Sequence, residues 1–270
     1  MSKIQAAPTR HRYRLTLEYA GAGFSGWQKQ DDARTIQGAM LAAAVEIFGD
    51  ERVDIQGTGR TDAGVNALNY TAHLETTGER LPLEIIIERF NELLPANIAV
   101  LAISPCHARF HARHSCIGRS YLYQIAKRKS AFNKKYVWWV KDRLDSAAMA
   151  ETAVIFAGMH DFVSFAERQE LKKSTLVRLN GVYLYEDDEM LRLRVVGSHF
   201  LWRMVRRMAG VLVEVGRGNL SKSEVAAFLA GPADAPSRLT APPSGLFFEQ
   251  AFYDEQEFED FLVMAAEEAL

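Results

Sequence analysis

Cysteine is scarce in this 270-residue chain, which contains only Cys106 and Cys116. A disulfide scaffold is therefore not expected, and two reduced thiols fit a cytosolic protein. No uninterrupted apolar run approaches the roughly 20 residues that span a bilayer. The first residues, MSKIQAAPTRHRYR, lack the apolar core of a signal peptide. We therefore expect a cytoplasmic protein with no membrane partner.

Common catalytic signatures are also missing. The sequence has neither the G-x-S-x-G motif of many hydrolases nor the lysine-containing phosphate loop of NTPases. The run GAGFSG, residues 21–26, does match G-x-G-x-x-G. That fingerprint needs a helix to begin at its glycines, whereas the next helix is predicted only at Thr35. A glycine-rich loop is favoured over a nucleotide site.

Potential metal ligands are concentrated in the middle of the chain. Structural zinc sites usually present their ligands as separated pairs on turns. Here the residues lie in a predicted linker next to several arginines, so surface histidines are favoured over a metal centre. The cluster consists of Cys106, His107, His111, His114 and Cys116.

The net charge of −2 conceals an uneven distribution. Residues 107–143 contain ten basic residues and one acid, Asp142, whereas residues 239–270 contain eight acids and no base. This pattern is typical of a basic face that binds a polyanion, but also of two solvated faces of opposite sign. The ten basic residues are Arg109, Arg113, Arg119, Lys127, Arg128, Lys129, Lys134, Lys135, Lys141 and Arg143.

Hydrophobic periodicity predicts mixed helix and strand. Strands are predicted at residues 13–19, 68–76, 98–103, 121–126, 176–185, 190–196 and 246–253. Helices are predicted from a Thr35 cap through Phe48, with Gly49 as the stop, and at 83–93, 146–157, 199–213 and 221–229. The acidic C terminus, residues 254–268, is expected to be a surface helix. Two halves, divided near residues 105–113, indicate an α+β protein in which each half contributes an antiparallel sheet.

One loop combines chemistry that a plain turn does not need. In GTGRTDAGVNALNY, residues 57–70, Arg60 and Asp62 stand among three glycines. A nearby cation stabilises the charged form of a sheltered carboxylate, and an ionised carboxylate is a nucleophile or a base. The alternative is a turn in which Asp62 accepts backbone N–H groups and Arg60 points to solvent.

The sequence GRTDAGV, residues 59–65, resembles the signature loop of the tRNA pseudouridine synthase A family. Other motifs of this family follow in the same order, and together they extend from about Tyr13 to Tyr253. They are GWQ at 26–28, TIQ at 35–37, FHAR at 110–113, RSYLY at 119–123, GMHDF at 158–162, FLWRMVR at 200–206 and APPSGL at 241–246.

This resemblance implies a fold, an activity and a partner. The expected fold is the α+β pseudouridine synthase fold, in which two RRM-like halves, residues 1–108 and 109–270, form a central antiparallel sheet with flanking helices. The expected activity is the isomerisation of uridine to pseudouridine in the tRNA anticodon stem-loop, at positions 38 to 40. The resemblance also implies a homodimer that needs no cofactor and no metal.

Residue roles follow from the matched motifs. Asp62 is expected to be the catalytic nucleophile, and Arg206 to pair with it. Tyr121 is expected to stack on the target uracil, although Tyr123 shares its strand face and one of the two tyrosines is expected only to pack. Arg60 is expected to help extrude the base from its stack.

Further residues are expected to bind the tRNA. Arg203 is expected to share the helix face of Arg206, and Arg207 to reach a phosphate. A basic segment interspersed with aromatic residues suits phosphates and exposed bases, although its indoles fit a protein core equally well. This segment contains Lys127, Arg128, Lys129, Lys134 and Lys135 with Phe132, Tyr136, Trp138 and Trp139.

Two positions depart from the family pattern. Asn66 stands where the family usually has histidine, and Asn69 where glycine is frequent. Asparagine cannot carry a proton near neutral pH, so no chemical role of that histidine transfers to this chain. Two alternatives stay open: a catalytically inactive tRNA-binding relative, and a metal-dependent nucleic-acid enzyme that uses the cysteine and histidine cluster.

Overall fold

The computed structural model describes residues 10–167 and 174–269. The chain divides into two compact units. The first contains the residues up to Ala63 together with Ala67–Cys116, and the second contains Gly64–Asn66 together with Ile117–Leu270. The sequence predicted two RRM-like halves, residues 1–108 and 109–270. That division into two similar folds stays a prediction. Within the described ranges, no helix is both long enough and apolar enough to cross a bilayer.

The first unit is an antiparallel sheet with two helices. Strand β1 pairs with β3 and β4, and β2 pairs with the opposite edge of β3, at Ala72–Glu75. The elements are β1 (His11–Tyr19), α1 (Ile36–Phe48), β2 (Asp54–Gly57), β3 (Asn66–Thr76), α2 (Leu83–Leu93) and β4 (Ile98–Pro105).

Local sequence explains where these elements begin and end. The Thr35 hydroxyl accepts the Gly38 N–H at 3.2 Å and caps α1, and Gly49 ends that helix with a left-handed φ of 59°. Both features were predicted. Buried residues alternate along β1 with the predicted period of two. Strand β2 was missed because its four residues are too few, and Asp54 and Gln56 too polar, to show an apolar alternation.

A histidine lies buried in this unit. His73, on β3, is 3% exposed, and its Nδ1 accepts the Ala112 N–H at 3.1 Å. Its ring centre lies 4.6 Å from that of His111, which lies 4.3 Å from that of His114. Burial, and then the charges of His111 and Arg12, lower the pKa of His73 to about 4. In the described part of the chain, no group of three His, Cys, Asp or Glu side chains could hold a metal ion.

We expect His73 to make the first unit sensitive to mild acid. The unfolded chain binds a proton on this imidazole below its ordinary pKa of 6.5, whereas the folded chain keeps the ring neutral down to about 4. The stabilisation from neutral His73 is therefore complete above pH 6.5 and is lost as the pH falls toward 4, by up to about 3 kcal/mol. Urea unfolding at about pH 7 and about pH 4.5 measures this loss.

Two variants isolate the contribution of His73. His73→Asn keeps an acceptor for the Ala112 N–H and removes the titration, so it should lose less stability in acid than the wild type. His107→Asn changes an exposed histidine and should behave as the wild type. Equal losses in all three proteins would contradict the prediction.

The second unit carries a larger sheet with the strand order β10-β5-β9-β8-β7, in which neighbouring strands are antiparallel. The short strand β6 pairs with β5 in parallel. The elements are β5 (Gly118–Ala126), β6 (Trp138–Trp139), α3 (Ser146–Ala153), β7 (Gly158–Asp161), β8 (Leu176–Glu186), β9 (Met190–Gly197), α4 (Met204–Gly216), α5 (Lys222–Ala230), α6 (Ala235–Arg238), β10 (Leu246–Phe252) and α7 (Glu255–Glu267). The predicted α+β class, with antiparallel strands flanked by helices, is confirmed in each unit.

Two helix predictions differ from the structure in their bounds. Helix α4 begins at Met204, not at residue 199, because Arg203 adopts a left-handed conformation with φ of 63° and interrupts the helical backbone. The same helix ends at Gly216, not at residue 213. Helix α3 ends at Ala153, not at residue 157, because Val154–Phe156 form a 3-10 turn. Helix α4 is buried on nearly all sides. It is therefore a core element, in which even the polar residues Arg206, Arg207 and Glu214 are half-buried or buried.

The acidic C terminus forms the predicted surface helix, α7, which is capped by the Asp254 side chain. Arg194, on β9, lies 4.8 Å from the ring centre of Tyr185 and 5.3 Å from that of Phe261 on α7. The same guanidinium pairs with Glu249 at 2.9 Å and with Glu268 at 3.4 Å. Some of the acidic charge therefore holds the second unit together.

Candidate active site

The loop that carries Asp62 connects β2 to β3, and its residues up to Ala63 belong to the first unit. Its backbone is held on both sides of Arg60. The Tyr70 hydroxyl donates to the Gly59 carbonyl, the Trp27 N–H donates to the Thr61 carbonyl at 3.1 Å, and the Tyr19 hydroxyl bonds the Thr61 hydroxyl at 2.9 Å. Asp62 itself is half-buried and Arg60 is exposed.

The aromatic residues that hold this loop pack on one another. Trp27 and Tyr70 have ring centres 4.3 Å apart, and those of Tyr19 and Tyr70 lie 5.6 Å apart. All three side chains are at most 4% exposed. Because packed interiors have little freedom to move, the loop backbone next to Asp62 is fixed by the core of the first unit.

The glycine-rich run at residues 21–26 also supports this loop. Gly26 has a φ of 88°, and a Cβ at this position would overlap the Thr61 carbonyl oxygen and lie 3.1 Å from the Asp62 carbonyl carbon. Gly26 therefore lets one backbone approach another. The sequence predicted only a glycine-rich loop at residues 21–26. The structure shows that Gly26 in this loop allows the close approach of the Asp62 loop.

Replacement of Gly26 by alanine is expected to displace the Asp62 loop and lower activity by roughly 100-fold or more, since small misplacements of reacting groups are costly. Gly23→Ala is the matched control. Gly23 also has a positive φ, of 86°, but a Cβ added there would have no atom within 4 Å. Both variants introduce the backbone strain of a positive φ, whereas only the Cβ of Gly26→Ala would contact the Asp62 loop. Equal activities of the two variants would contradict this role.

The motifs GWQ and TIQ are joined by hydrogen bonds. The Gln37 N–H donates to the Trp27 carbonyl at 2.9 Å, and the Gln28 side chain donates to that of Gln37 at 2.7 Å. Gln37 in turn donates to the Ile55 carbonyl on β2 at 2.7 Å. These two motifs therefore brace the strand that leads into the Asp62 loop.

A second loop, residues 241–245, collects several of the predicted residues within the second unit. The Ala241 carbonyl accepts from the Arg206 Nε at 2.8 Å, and the Pro242 carbonyl accepts from the Tyr123 hydroxyl at 2.8 Å. The Ser244 carbonyl accepts from the Asn66 amide at 2.9 Å. Gly64 approaches Pro243 so closely that a Cβ on the glycine would lie 3.1 Å from the proline Cγ.

Asn66 therefore has a structural role in this chain. It is 1% exposed, and its amide binds the backbone of the 241–245 loop. A hydrogen-bond donor at this position fixes residues 64–66, which follow Asp62 by only two to four positions. Asparagine supplies that donor without a titratable group.

The two neighbouring tyrosines of β5 differ in what they contact. Tyr123 is fully buried, its hydroxyl is bound to Pro242, and burial raises its pKa. Tyr121 is 9% exposed and packs edge-on against Phe200 at 4.8 Å and Phe248 at 5.3 Å. Tyr123 is therefore a packing residue of the second unit, whereas the stacking role of Tyr121 stays a prediction.

The structure corrects two expectations about arginines. Arg203 precedes α4, so it cannot share a helix face with Arg206; it pairs with Glu167 at 2.9 Å and lies over the Trp202 ring at 5.0 Å. Arg207 is 4% exposed, pairs with Glu167 at 2.8 Å and donates to the Ala166 carbonyl. Its burial is incompatible with the expected phosphate contact, because the guanidinium is bound to Glu167 inside the unit and is not accessible to a partner.

The basic segment is only partly available to a partner. Lys127 pairs with Glu186 at 2.7 Å, and Arg128 pairs with Glu189. The Lys129 ammonium lies 5.8 Å from the centre of the Trp139 ring. Two of the three predicted tRNA-binding residues in this segment are therefore neutralised within the protein.

Comparison with known proteins supports the resemblance of the motifs. A family model described as tRNA pseudouridine synthase matches residues 16–115 and 152–254, which is more than half of the chain. The chain belongs to the tRNA pseudouridine synthase family. The matched ranges of this synthase family include Asp62 and Arg206, whereas Tyr121 and the basic segment lie in the gap between them.

Bacterial members of this family are similar over nearly their full length. The tRNA pseudouridine synthase A of Rhodospirillum centenum is 38% identical over 244 residues, which cover 90% of this chain and 99% of that protein. The tRNA pseudouridine synthase A of Zymomonas mobilis is 35% identical, with coverage of 90% and 100%. The tRNA pseudouridine synthase A 2 of Clostridium tetani is 34% identical, with coverage of 89% and 98%.

A solved Cbf5-Nop10-Gar1 complex shows a remote likeness. The alignment has a TM-score of 0.33 and 10% identity, and covers 74% of this chain and 45% of the other. This value is too low to support an inference about the fold.

Proposed function

We propose that this chain converts uridine to pseudouridine in the anticodon stem-loop of tRNA, at positions 38 to 40, as a cytoplasmic homodimer. The observation that carries the proposal is the Asp62 loop. It has the signature sequence of the family, and its backbone is held by the buried residues Tyr19, Trp27 and Tyr70. Such support directly before Asp62 is what a preorganised nucleophile requires.

In this reaction Asp62 is the nucleophile. Its carboxylate forms a covalent bond with the target nucleotide, at C1′ of the ribose or at C6 of the uracil, and the N1–C1′ bond breaks. The uracil turns, C5 bonds to C1′, and the carboxylate leaves. C5 loses its proton and N1 takes one up, so the product has the same atoms as the substrate. No step needs a metal or a redox cofactor.

Three further residues complete the proposed site. Arg206 is the proposed partner of the Asp62 carboxylate in the complex with tRNA, and Tyr121 stacks on the target uracil. Arg60, which is exposed, helps to extrude the base, since ring atoms inside a stacked arm are out of reach. Arg203, also exposed, contacts the tRNA backbone.

Release of tritium from tRNA labelled at uridine C5 tests this function, because only loss of the C5 proton frees the label. We expect wild-type protein to release tritium from a transcript with uridines at positions 38 to 40, and the release to survive a chelator. A transcript with cytidine at these three positions is the control and should release none. Equal release from both transcripts would place the target elsewhere, and no release from either would overturn the proposal.

A further inference from the structure

The basic segment is anchored to the second unit at several points. Val137 and Val140 are buried, and Trp138 packs edge-on against Tyr123 at 6.3 Å. The Ser244 hydroxyl donates to the Val137 carbonyl at 3.2 Å, from the same loop that binds Asn66 and Arg206. The outward-facing side chains of this segment therefore stand on a fixed backbone.

Three aromatic side chains of this anchored segment are exposed to solvent. Phe132 is 90% exposed, Trp139 41% and Tyr136 40%. Phe132 leads into a 3-10 turn, Asn133–Lys135, and the Ser130 hydroxyl accepts the Phe132 N–H at 3.3 Å. An apolar ring with so little burial does not stabilise the fold, and clusters of exposed apolar residues mark interaction sites.

Uncompensated positive charge surrounds these rings. Lys127 and Arg128 are paired with carboxylates, whereas Lys129, Lys134 and Lys135 have no ion pair with any residue that the structure describes. All three of these lysines are exposed. The charge available to a partner therefore lies at Lys129 and at the 3-10 turn.

We propose that Lys129, Phe132, Lys134, Lys135 and Trp139 form a platform that binds an unpaired stretch of the tRNA substrate. The lysines contact phosphates, and the exposed rings stack on bases, which is how single-stranded RNA is bound without sequence readout. Charge complementarity selects a polyanion as the occupant. That the bound RNA is tRNA rests on the proposed function. Binding at the platform, however, does not require the isomerase reaction.

Two sets of variants separate the charge from the stacking. Lys134→Ala together with Lys135→Ala should weaken tRNA binding about tenfold and reduce the slope of log K against log salt by about 1 to 2, because two phosphate contacts are lost. Phe132→Ala should weaken binding by roughly 5- to 100-fold and leave the salt slope unchanged. Filter binding to unmodified tRNA between about 50 and 200 mM salt measures both quantities.

The matched control is Lys222→Ala, which removes an exposed lysine that pairs with Glu151 on the same unit. It should bind tRNA as the wild type does. All variants should unfold at the wild-type temperature, because the replaced side chains are exposed. Wild-type affinity and slope in the platform variants would overturn the proposal. So would a change in oligomeric state by light scattering, which would show instead that the surface contacts a second copy of the chain.

The two proposals fail in different ways. If the wild type binds tRNA and the platform variants do not, but no tritium is released, the platform stands and the proposed isomerase activity fails. If tritium is released normally and the platform variants bind as the wild type, the activity stands and the platform is overturned. With active protein, the platform variants should raise KM by about their loss of affinity and leave kcat unchanged.

Discussion

Asp62→Asn is expected to abolish pseudouridine formation, with a loss on the order of 10³-fold or more. Asparagine has nearly the same shape as aspartate, so the loop held by Tyr19, Trp27 and Tyr70 should keep its conformation. The neutral amide cannot form the covalent bond to the nucleotide and then leave, as the proposed reaction requires of the carboxylate. Removal of a nucleophile costs far more than removal of a single hydrogen bond, since the whole covalent route is lost. Single-turnover tritium release measures the change.

The interpretation of this variant depends on two controls. Asp54→Asn removes an exposed carboxylate from β2 of the same unit and should retain wild-type activity. Asp62→Asn itself should bind tRNA with close to wild-type affinity, because the platform residues and the folded loop are unchanged. Retention of more than about a tenth of the activity would exclude Asp62 as the nucleophile. Loss of tRNA binding together with activity would point to a displaced loop.

Gly210→Ala is expected to give the largest loss of stability. Gly210 lies within the buried helix α4, where an added Cβ would overlap the Leu239 carbonyl oxygen and lie 2.7 Å from the Leu239 carbonyl carbon. Both partners are backbone, so no side chain can rotate away. Relief requires α4 and the segment at Leu239 to separate, which opens a close-packed core. We expect a loss of about 3 kcal/mol or more, at the upper end for overpacked sites.

Urea unfolding tests this prediction, with Gly231→Ala as the matched control. Gly231 lies in the same unit, an added Cβ there would have nothing within 4 Å, and its φ of −174° suits any residue. The control should unfold near the wild-type midpoint, and Gly210→Ala far below it. Because the Arg206 carbonyl accepts the Ala241 N–H at 3.1 Å, the same separation should also disturb the 241–245 loop and reduce activity. An unchanged midpoint would show that α4 tolerates a larger separation than its packing indicates.

Elements with strong local signals were predicted almost to the residue. Helix α1 has a threonine cap, a glycine stop and an apolar face, and helix α2 follows Pro82 at the predicted Leu83. Strand β1 shows a clear period of two. In these elements, the backbone preference of each residue agrees with the burial that the fold imposes.

The errors lie where a distant contact overrides the local pattern. The apolar run before Met204 looks helical, but Arg203 turns the chain with a positive φ that no local signal required. Arg207 looks like a surface arginine, yet it pairs with Glu167, 40 positions earlier in the chain. Strands β2 and β7 were missed for a different reason, because four residues are too few to show a period of two.

The sequence by itself determined the α+β class, most of the helices and strands, the family and the Asp62 signature, because these depend on short-range periodicity and on motifs of adjacent residues. Only the tertiary structure decided what Gly26, Asn66 and the lysines of the basic segment do. Gly26 matters because one backbone passes close to another, and Asn66 because its amide meets a carbonyl 178 positions away. Lys127 and Lys134 look equivalent along the chain, but among the residues that the structure describes only Lys127 pairs with a carboxylate. Contacts between distant segments leave no periodic trace in a sequence, so the fold alone reveals them.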